Sequence, residues 1–208
     1  MSDLARDYFY EPVKGHGLPR DPLNAIIGPR PIGWVSTLGS NGILNLAPYS
    51  FFNAFNYRPP IIGFSSIGSK DSLRNARETG EFVWNIATRQ LAEKMNATSA
   101  SVQYGVDEFE LAQLTPVPSR IVSVARIAES PVNFECSVTE IVQLKGRHQR
   151  FVQTLLVLGE MVGVHIRRDL LRDSVFDTFG AGIILRAGGL SSYGEITPES
   201  RFGIQRPR

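Results

Sequence analysis

The segment Ser65-Ser66-Ile67-Gly68-Ser69-Lys70-Asp71-Ser72 sets hydroxyls and a lysine between an apolar run and the start of a helix-forming stretch. That combination suits an anion such as a phosphate. The first N–H groups of a helix have no intrahelical partner, the helix dipole attracts negative charge, serine hydroxyls donate hydrogen bonds, and Lys70 adds a point charge. The same residues also suit plain capping, with Ser69 or Asp71 as N-cap and Lys70 solvated. Asp71 repels a phosphate, so it is expected to face away, as a cap or against Arg74. Arg30, between Pro29 and Pro31, is a second candidate anion contact, but reads better as an exposed arm residue.

A second stretch breaks its own pattern. Residues 42–52, GILNLAPYSFF, begin as a strand and then meet Asn45, Pro48, Tyr49 and Ser50. Proline is expected to stop ladder pairing there and to free neighbouring backbone N–H and C=O groups for another partner. A flat heteroaromatic ring with donors and acceptors on its edge would fit, with Ala47 allowing close approach, Ser50 offering a hydroxyl and Tyr49, Phe51 and Phe52 lining an apolar pocket. The competing reading is a kinked core strand in which Phe51, Phe52 and Phe55 only pack.

Other chemistries lack their residues. The sequence contains no Gly-x-Gly-x-x-Gly, no phosphate-binding Gly-x4-Gly-Lys-Ser/Thr, no His-Glu-x-x-His, no Cys-x-x-Cys and no Gly-x-Ser-x-Gly. His16, His148 and His165 are scattered. His165 is placed on the same strand face as Val157, Gly159 and Met161, either satisfied by a neighbour or at a pocket mouth. Cys136 alternates with Phe134 and Val138 and reads as a buried, inert thiol, with Glu135, Ser137 and Thr139 on the polar face.

The elements that must position these groups are mostly strands. Residues 32–38 and 43–47 form a hairpin candidate around LGSNG, followed by strands at 61–67 and 81–87. A helix lies between them over residues 69–80, with Gly80 as its stop. Further helices are expected at 89–97, with Thr88 as a cap, and from Asp107, with Glu110 three residues on. Residues 132–142 and 151–166 make a long hairpin, in which Gly159 and Gly163 permit bulges. This order argues for a mainly β antiparallel barrel with peripheral helices, not a doubly wound parallel sheet. Residues 1–31, with Pro12, Pro19, Pro22, Pro29 and Pro31, read as an extended arm on a single domain spanning residues 1–208.

At 208 residues and a net charge of +2, with 42% hydrophobic and 20% charged residues, the chain has an ordinary globular composition and too little positive charge for a dedicated nucleic-acid binder. The single cysteine excludes an internal disulfide and any multi-cysteine zinc or iron–sulfur site and fits a reducing cytoplasm, and without a metal-binding motif no metal site is expected. No apolar stretch reaches the roughly 20 residues that a spanning helix needs, and no membrane partner is expected.

Three linked stretches together resemble the flavin reductase-like, FMN-binding split-barrel family: GHGLPRDPLNAIIGPRPIGWVST, GILNLAPYSFFNAFNYRPPIIGFSS and KDSLRNARETGEFVWNIAT. The resemblance continues through NFEC, LGEMVGVHI and RAGGLSSYGEI. It implies a six-stranded antiparallel split β-barrel and a homodimer with FMN bound noncovalently near the subunit interface. By resemblance, Trp34, Ser36 and Thr37 lie beside the flavin, and Asn45, Ala47, Pro48, Tyr49, Ser50 and Phe51 run along its ring and ribityl chain. Ser65, Ser66, Lys70 and Ser72 match the ribityl and phosphate segment, with Thr88 and Arg89 where a basic side chain reaches the phosphate. The implied reaction is hydride transfer from NADH or NADPH to FMN, then electron delivery to an acceptor or a partner oxygenase. An FMN electron-transfer protein without NAD(P)H oxidation is the alternative. No acid–base pair is required of the protein, because the cofactor carries the chemistry. Gly188, Gly189 and Tyr193 read either as a closing segment over the flavin or as a plain turn.

Overall fold

The computed structural model describes residues 7–207. Its main sheet contains β1 (Gly33–Leu38), β2 (Leu44–Tyr49), β3 (Phe52–Tyr57), β4 (Pro60–Ile67), β5 (Glu81–Asn85), β6 (Val132–Lys145) and β7 (Phe151–Ile166). The order across the sheet is β2-β1-β5-β6-β7-β4-β3, with every pair antiparallel. Its two edge strands, β2 and β3, are consecutive in the chain and separated only by Ser50 and Phe51. Ser65 N–H donates to the Phe51 carbonyl at 2.9 Å, which carries the β3–β4 ladder one residue into the break, and Tyr49 of β2 packs on Phe64 of β4 with ring centroids 4.6 Å apart, so the sheet curls into a barrel that closes at the bend. The sheet has seven paired strands, of which β2 and β3 are consecutive and interrupted at Ser50 and Phe51.

Local chemistry explains the elements. The β1–β2 hairpin is closed by Gly39 N–H on the Ile43 carbonyl at 2.9 Å, and Gly42 takes the φ of 80° that the turn needs. Helix α2 (Asp71–Thr79) follows a single helical turn, α1 (Leu23–Ile26), and ends at Gly80 with φ 72°. It turns Leu73 and Ala76 into the barrel, where they join Val35, Tyr49, Phe52, Phe64, Phe82, Cys136 and Val157. A second cluster, with Trp34, Leu46, Met95, Phe109, Ile127 and Ile184, lies on the other side of β1 and β2 beneath α3 (Ala92–Ala97) and α4 (Glu108–Leu111). Each fully buried large apolar side chain contributes about 1.5–3 kcal/mol. These two layers hold β1 and β2 rigidly on both faces.

The long hairpin shifts register three times, once between Phe151 and Leu155 and twice at single-residue bulges. Thr139 is an extra residue on β6, and Val162 is an extra residue on β7 between the pairs Met161↔Cys136 and Gly163↔Glu135. One inserted residue reverses the facing of everything beyond it. His165 therefore does not share the face of Val157, Gly159 and Met161, as strict alternation predicts. It turns to Glu135.

Three further expectations change. The N-cap of α2 is Lys70, not Ser69 or Asp71, and no side chain caps it. The helix from 89 splits into a 3-10 turn, Arg89–Leu91, followed by α3, and Thr88 makes no side-chain cap. The arm is extended and largely exposed over its described part, apart from turns at Pro12–Lys14 and Leu23–Ile26. Residues 1–6 lie outside the described residues. Asp107 does cap α4, accepting from Phe109 N–H at 2.8 Å.

Candidate functional site

Pro48 does not end the ladder. It pairs with Trp34, and Tyr49 pairs with Gly33, since an edge strand tolerates a residue without an N–H. Pairing stops at Ser50 and Phe51. The Ser50 carbonyl accepts from Arg30 Nε at 3.1 Å and the Phe51 carbonyl from Ser65 N–H at 2.9 Å. The N–H groups of Ser50 and Phe51 have no acceptor among the described residues. Beside the break a cavity of about 240 Å³ is lined by Pro48, Tyr49, Ser50, Arg186, Leu190 and Tyr193. Phe52 packs in the barrel, whereas Phe51 and Phe55 are exposed.

The Tyr49 side chain enters the barrel against Phe64, with ring centroids 4.6 Å apart. Its hydroxyl is buried without a hydrogen-bond partner among the described residues, beside Ser66 and Ser72. Burial raises its pKa, against the opposing influence of those two hydroxyls. Ser72 accepts from Asn45 Nδ2 at 2.8 Å, and Thr37 Oγ1 accepts from Asn45 at 3.2 Å and Asn75 at 3.1 Å. Thr37, Asn45, Tyr49, Ser66 and Ser72 thus form one buried polar group under the N-terminus of α2.

At that N-terminus Gly68 takes φ 71°, and Lys70 N–H donates to the Gly68 carbonyl at 3.1 Å. The Lys70 side chain is exposed and has no ion-pair partner among the described residues. Asp71 turns to Arg74 at 3.5 Å, as an anion site requires. Ser65 is half-buried on the neighbouring strand.

The remaining candidates lie elsewhere. Trp34 and Ser36 occupy the opposite face of β1, where Trp34 Nε1 donates to Thr98 Oγ1 at 3.0 Å and Ser36 Oγ to the Ala125 carbonyl at 2.7 Å. Both are buried and committed to internal partners. Thr88 and Arg89 line a separate cavity of about 380 Å³ with Glu129, Arg167, Phe179 and Glu195, and share neither a hydrogen bond nor that cavity with residues 65–72. Ala47 is half-buried between the break and Asn45.

Two groups escaped the sequence reading. Arg30 is buried, not an exposed arm residue, because the two-residue strand Arg30–Pro31 pairs with Ile184–Arg186 and draws it under the break. Burial first, then the nearby Arg186 charge, lowers its pKa. Glu135, placed on the polar face by alternation, is fully buried. The loop of residues 118–124 folds over it and supplies N–H donors from Arg120, Ile121 and Val122 at 2.9, 2.7 and 3.0 Å, and His165 Nε2 completes the set. His165 is thus satisfied by a neighbour. Cys136 is buried with its pKa raised, by burial first and then by Glu135, and is an inert thiol.

The Arg186 guanidinium donates to the carbonyls of Ser192, Gly189 and Leu190 at 2.6, 3.1 and 2.7 Å, and so orders the Gly188-Gly189 segment beside the cavity at the break. No described helix is long and apolar enough to cross a membrane.

The chain is similar to several known proteins. The uncharacterized protein BH2278 of Halalkalibacterium halodurans is 35% identical over 187 residues, covering 86% of each chain. The structure of nitrilotriacetate monooxygenase component B from Bacillus cereus is 32% identical with a TM-score of 0.81, over 88% of this chain and 90% of that one. That of the Pseudomonas fluorescens 2-nitrobenzoate 2-nitroreductase NbaA is 26% identical with a TM-score of 0.78, over 99% and 93%. Residues 28–180 match the flavin reductase like domain, and with its broken barrel ribbon the chain belongs to that family of split-barrel proteins.

Proposed function

We propose that this chain is a single-domain, homodimeric flavoprotein of the cytoplasm that binds FMN noncovalently at the β2–β3 break and takes hydride from NADH or NADPH. The observation that carries the reading is the pairing of the break with an uncapped helix start. Free N–H groups at Ser50 and Phe51 suit a ring edge, and an N-terminus without a side-chain cap, beside a buried unpartnered Tyr49 hydroxyl, suits a phosphate. The residues present fit the cofactor.

Bound FMN would supply a hydride acceptor and a carrier of electrons. The chain's own residues bind and orient it. Lys70, Ser65, Ser66, Ser72 and the first N–H groups of α2 are assigned to the phosphate end, and Asn45, Ala47, Pro48, Tyr49, Ser50 and Phe51 to the ring and ribityl chain. Thr37 holds Asn45 in place, and Trp34 and Ser36 brace the wall behind β1. Thr88 and Arg89 share neither a cavity nor a hydrogen bond with residues 65–72, so their part in binding is assigned to a site shared with a second copy. The exposed apolar side chains Phe55 and Tyr57 on β3 and Val162, Val164 and Ile166 on β7 support such a dimer, because apolar surface left uncovered is available to a second copy. The kinship with a monooxygenase component B supports an oxygenase as one recipient of the electrons.

The test is a visible spectrum of the purified protein, chromatography of the released cofactor, and anaerobic addition of NADH and NADPH in turn. FMN near one per chain, bleached by either nucleotide, is expected. A yellow protein that neither bleaches is an electron-transfer flavoprotein instead. A colourless protein that takes up no FMN refutes the cofactor assignment.

A further inference from the structure

We propose that Arg30 is a positioning residue for the cofactor ring, holding the Ser50-Phe51 peptide so that its N–H stays turned toward the ligand. This rests on the FMN reading above. The geometry is direct. The Ser50-Phe51 peptide is trans, since the cis bonds lie at Gly28-Pro29 and Arg58-Pro59. In a trans peptide the C=O and N–H point in opposite directions, so fixing one fixes the other. Arg30 Nε fixes the Ser50 carbonyl at 3.1 Å, and its Nη1 is anchored on the Asn24 carbonyl at 2.5 Å.

The guanidinium is itself well held. Its carbon lies 5.6 Å from the Phe51 ring centroid, and the backbone beneath is paired with Arg186. Its hydrogen-bond partners are carbonyls, and no carboxylate pairs with it among the described residues. A buried arginine placed only to stabilise the fold would ordinarily meet a carboxylate. Here the positive charge stays unneutralised behind the Ser50-Phe51 peptide, on the side opposite the N–H that is turned toward the proposed ring site. Both the aimed N–H and the nearby charge favour a ring that has gained electron density, so Arg30 acts on the reduced form more than on the oxidised one.

The variants Arg30→Gln and Arg30→Lys separate these contributions. Lysine keeps the charge but not the planar fork that holds two carbonyls at once. FMN affinity of the oxidised state is read by fluorescence titration, the midpoint potential by spectroelectrochemistry, and folding by circular dichroism. Both variants should bind FMN about tenfold more weakly. Arg30→Gln should also shift the potential negative by about 30 mV, the equivalent of a tenfold change in a two-electron couple, and Arg30→Lys by less. Unchanged affinity in both variants overturns the assignment, as does weaker binding with an unchanged potential in Arg30→Gln, which marks a purely structural role. Should Arg30→Gln not fold, Arg30→Lys decides alone through its affinity. Wild-type protein that binds no FMN would instead refute the cofactor reading on which the assignment rests.

Discussion

Replacing Glu135 by glutamine tests the least expected feature of the barrel wall. Burial pushes this carboxyl up, but hydrogen bonds from Arg120 N–H, His165, Val122 N–H and Ile121 N–H outweigh it and hold the group at about 2 against an ordinary value of 4.5. At about 1.36 kcal/mol per unit, that depression is worth about 3 kcal/mol. The sign follows from linkage. The folded-state value is depressed, so this stability is fully present above the unfolded value near 4.5 and is lost as pH falls through about 2.

Glutamine retains one carbonyl oxygen but points an NH₂ at donors, leaving either the Arg120 N–H or the Ile121 and Val122 N–H groups without an acceptor. Urea unfolding at pH 7 should show Glu135→Gln less stable by about 3 kcal/mol, or about 6–12 °C in Tm for a chain of this size. The gap should narrow steadily between pH 4.5 and about 2, as the wild-type carboxylate becomes protonated. Other acidic groups titrate equally in both proteins and cancel in the difference. A gap that stays constant across that range would refute the claim that the ionised carboxylate holds the loop of residues 118–124 in place.

Three other substitutions probe the barrel and the site. A Cβ at Gly159 would fall against the Phe82 ring, with Cζ at 2.8 Å, so Gly159→Ala should cost about 1–3 kcal/mol in chemical denaturation. Tyr49→Phe removes a buried hydroxyl that lacks a partner; without FMN it should leave stability unchanged or raise it by about 1 kcal/mol, while calorimetric titration shows weaker FMN binding. Lys70→Ala should leave the melting temperature of the cofactor-free protein unchanged, because the side chain is exposed, and should weaken FMN binding by about 1.5–3 kcal/mol, with the loss shrinking in high salt.

Local signals carried the hairpins, α2 and its glycine stop, because turn residues and strand periodicity act over a few positions. The split-barrel assignment came from linked motifs in order. What escaped depended on distant partners. Glu135 lies on the polar parity of its strand, yet a loop whose donor N–H groups stand 13–15 residues earlier in the chain buries it, and nothing near position 135 announces this. His165 was read with Val157 and Met161 because alternation has no sign for the extra residue at Val162, although Gly163 hinted at a bulge. Arg30 looked exposed among prolines, and its burial depends on a strand about 155 residues later, an ordering that periodicity does not contain.

The position of the break follows from how the barrel closes. A sheet that curls fully has no free edge, and a fully paired ribbon would offer a ring no backbone donor. Here the ribbon changes partners, from β1 over residues 44–49 to β4 over residues 52–57, and two residues are spent on the change. Those two are where N–H groups fall free, while the strands on either side stay anchored by Trp34, Phe52 and Phe64. The donors therefore sit on rigid backbone, not on a mobile loop, and the direction of the Phe51 N–H is set by Arg30 through the Ser50 carbonyl. Moving the break by one residue would reverse the alternation of β3 and drive Phe52 out of the core. Closure of the fold and the location of the site are thus one constraint.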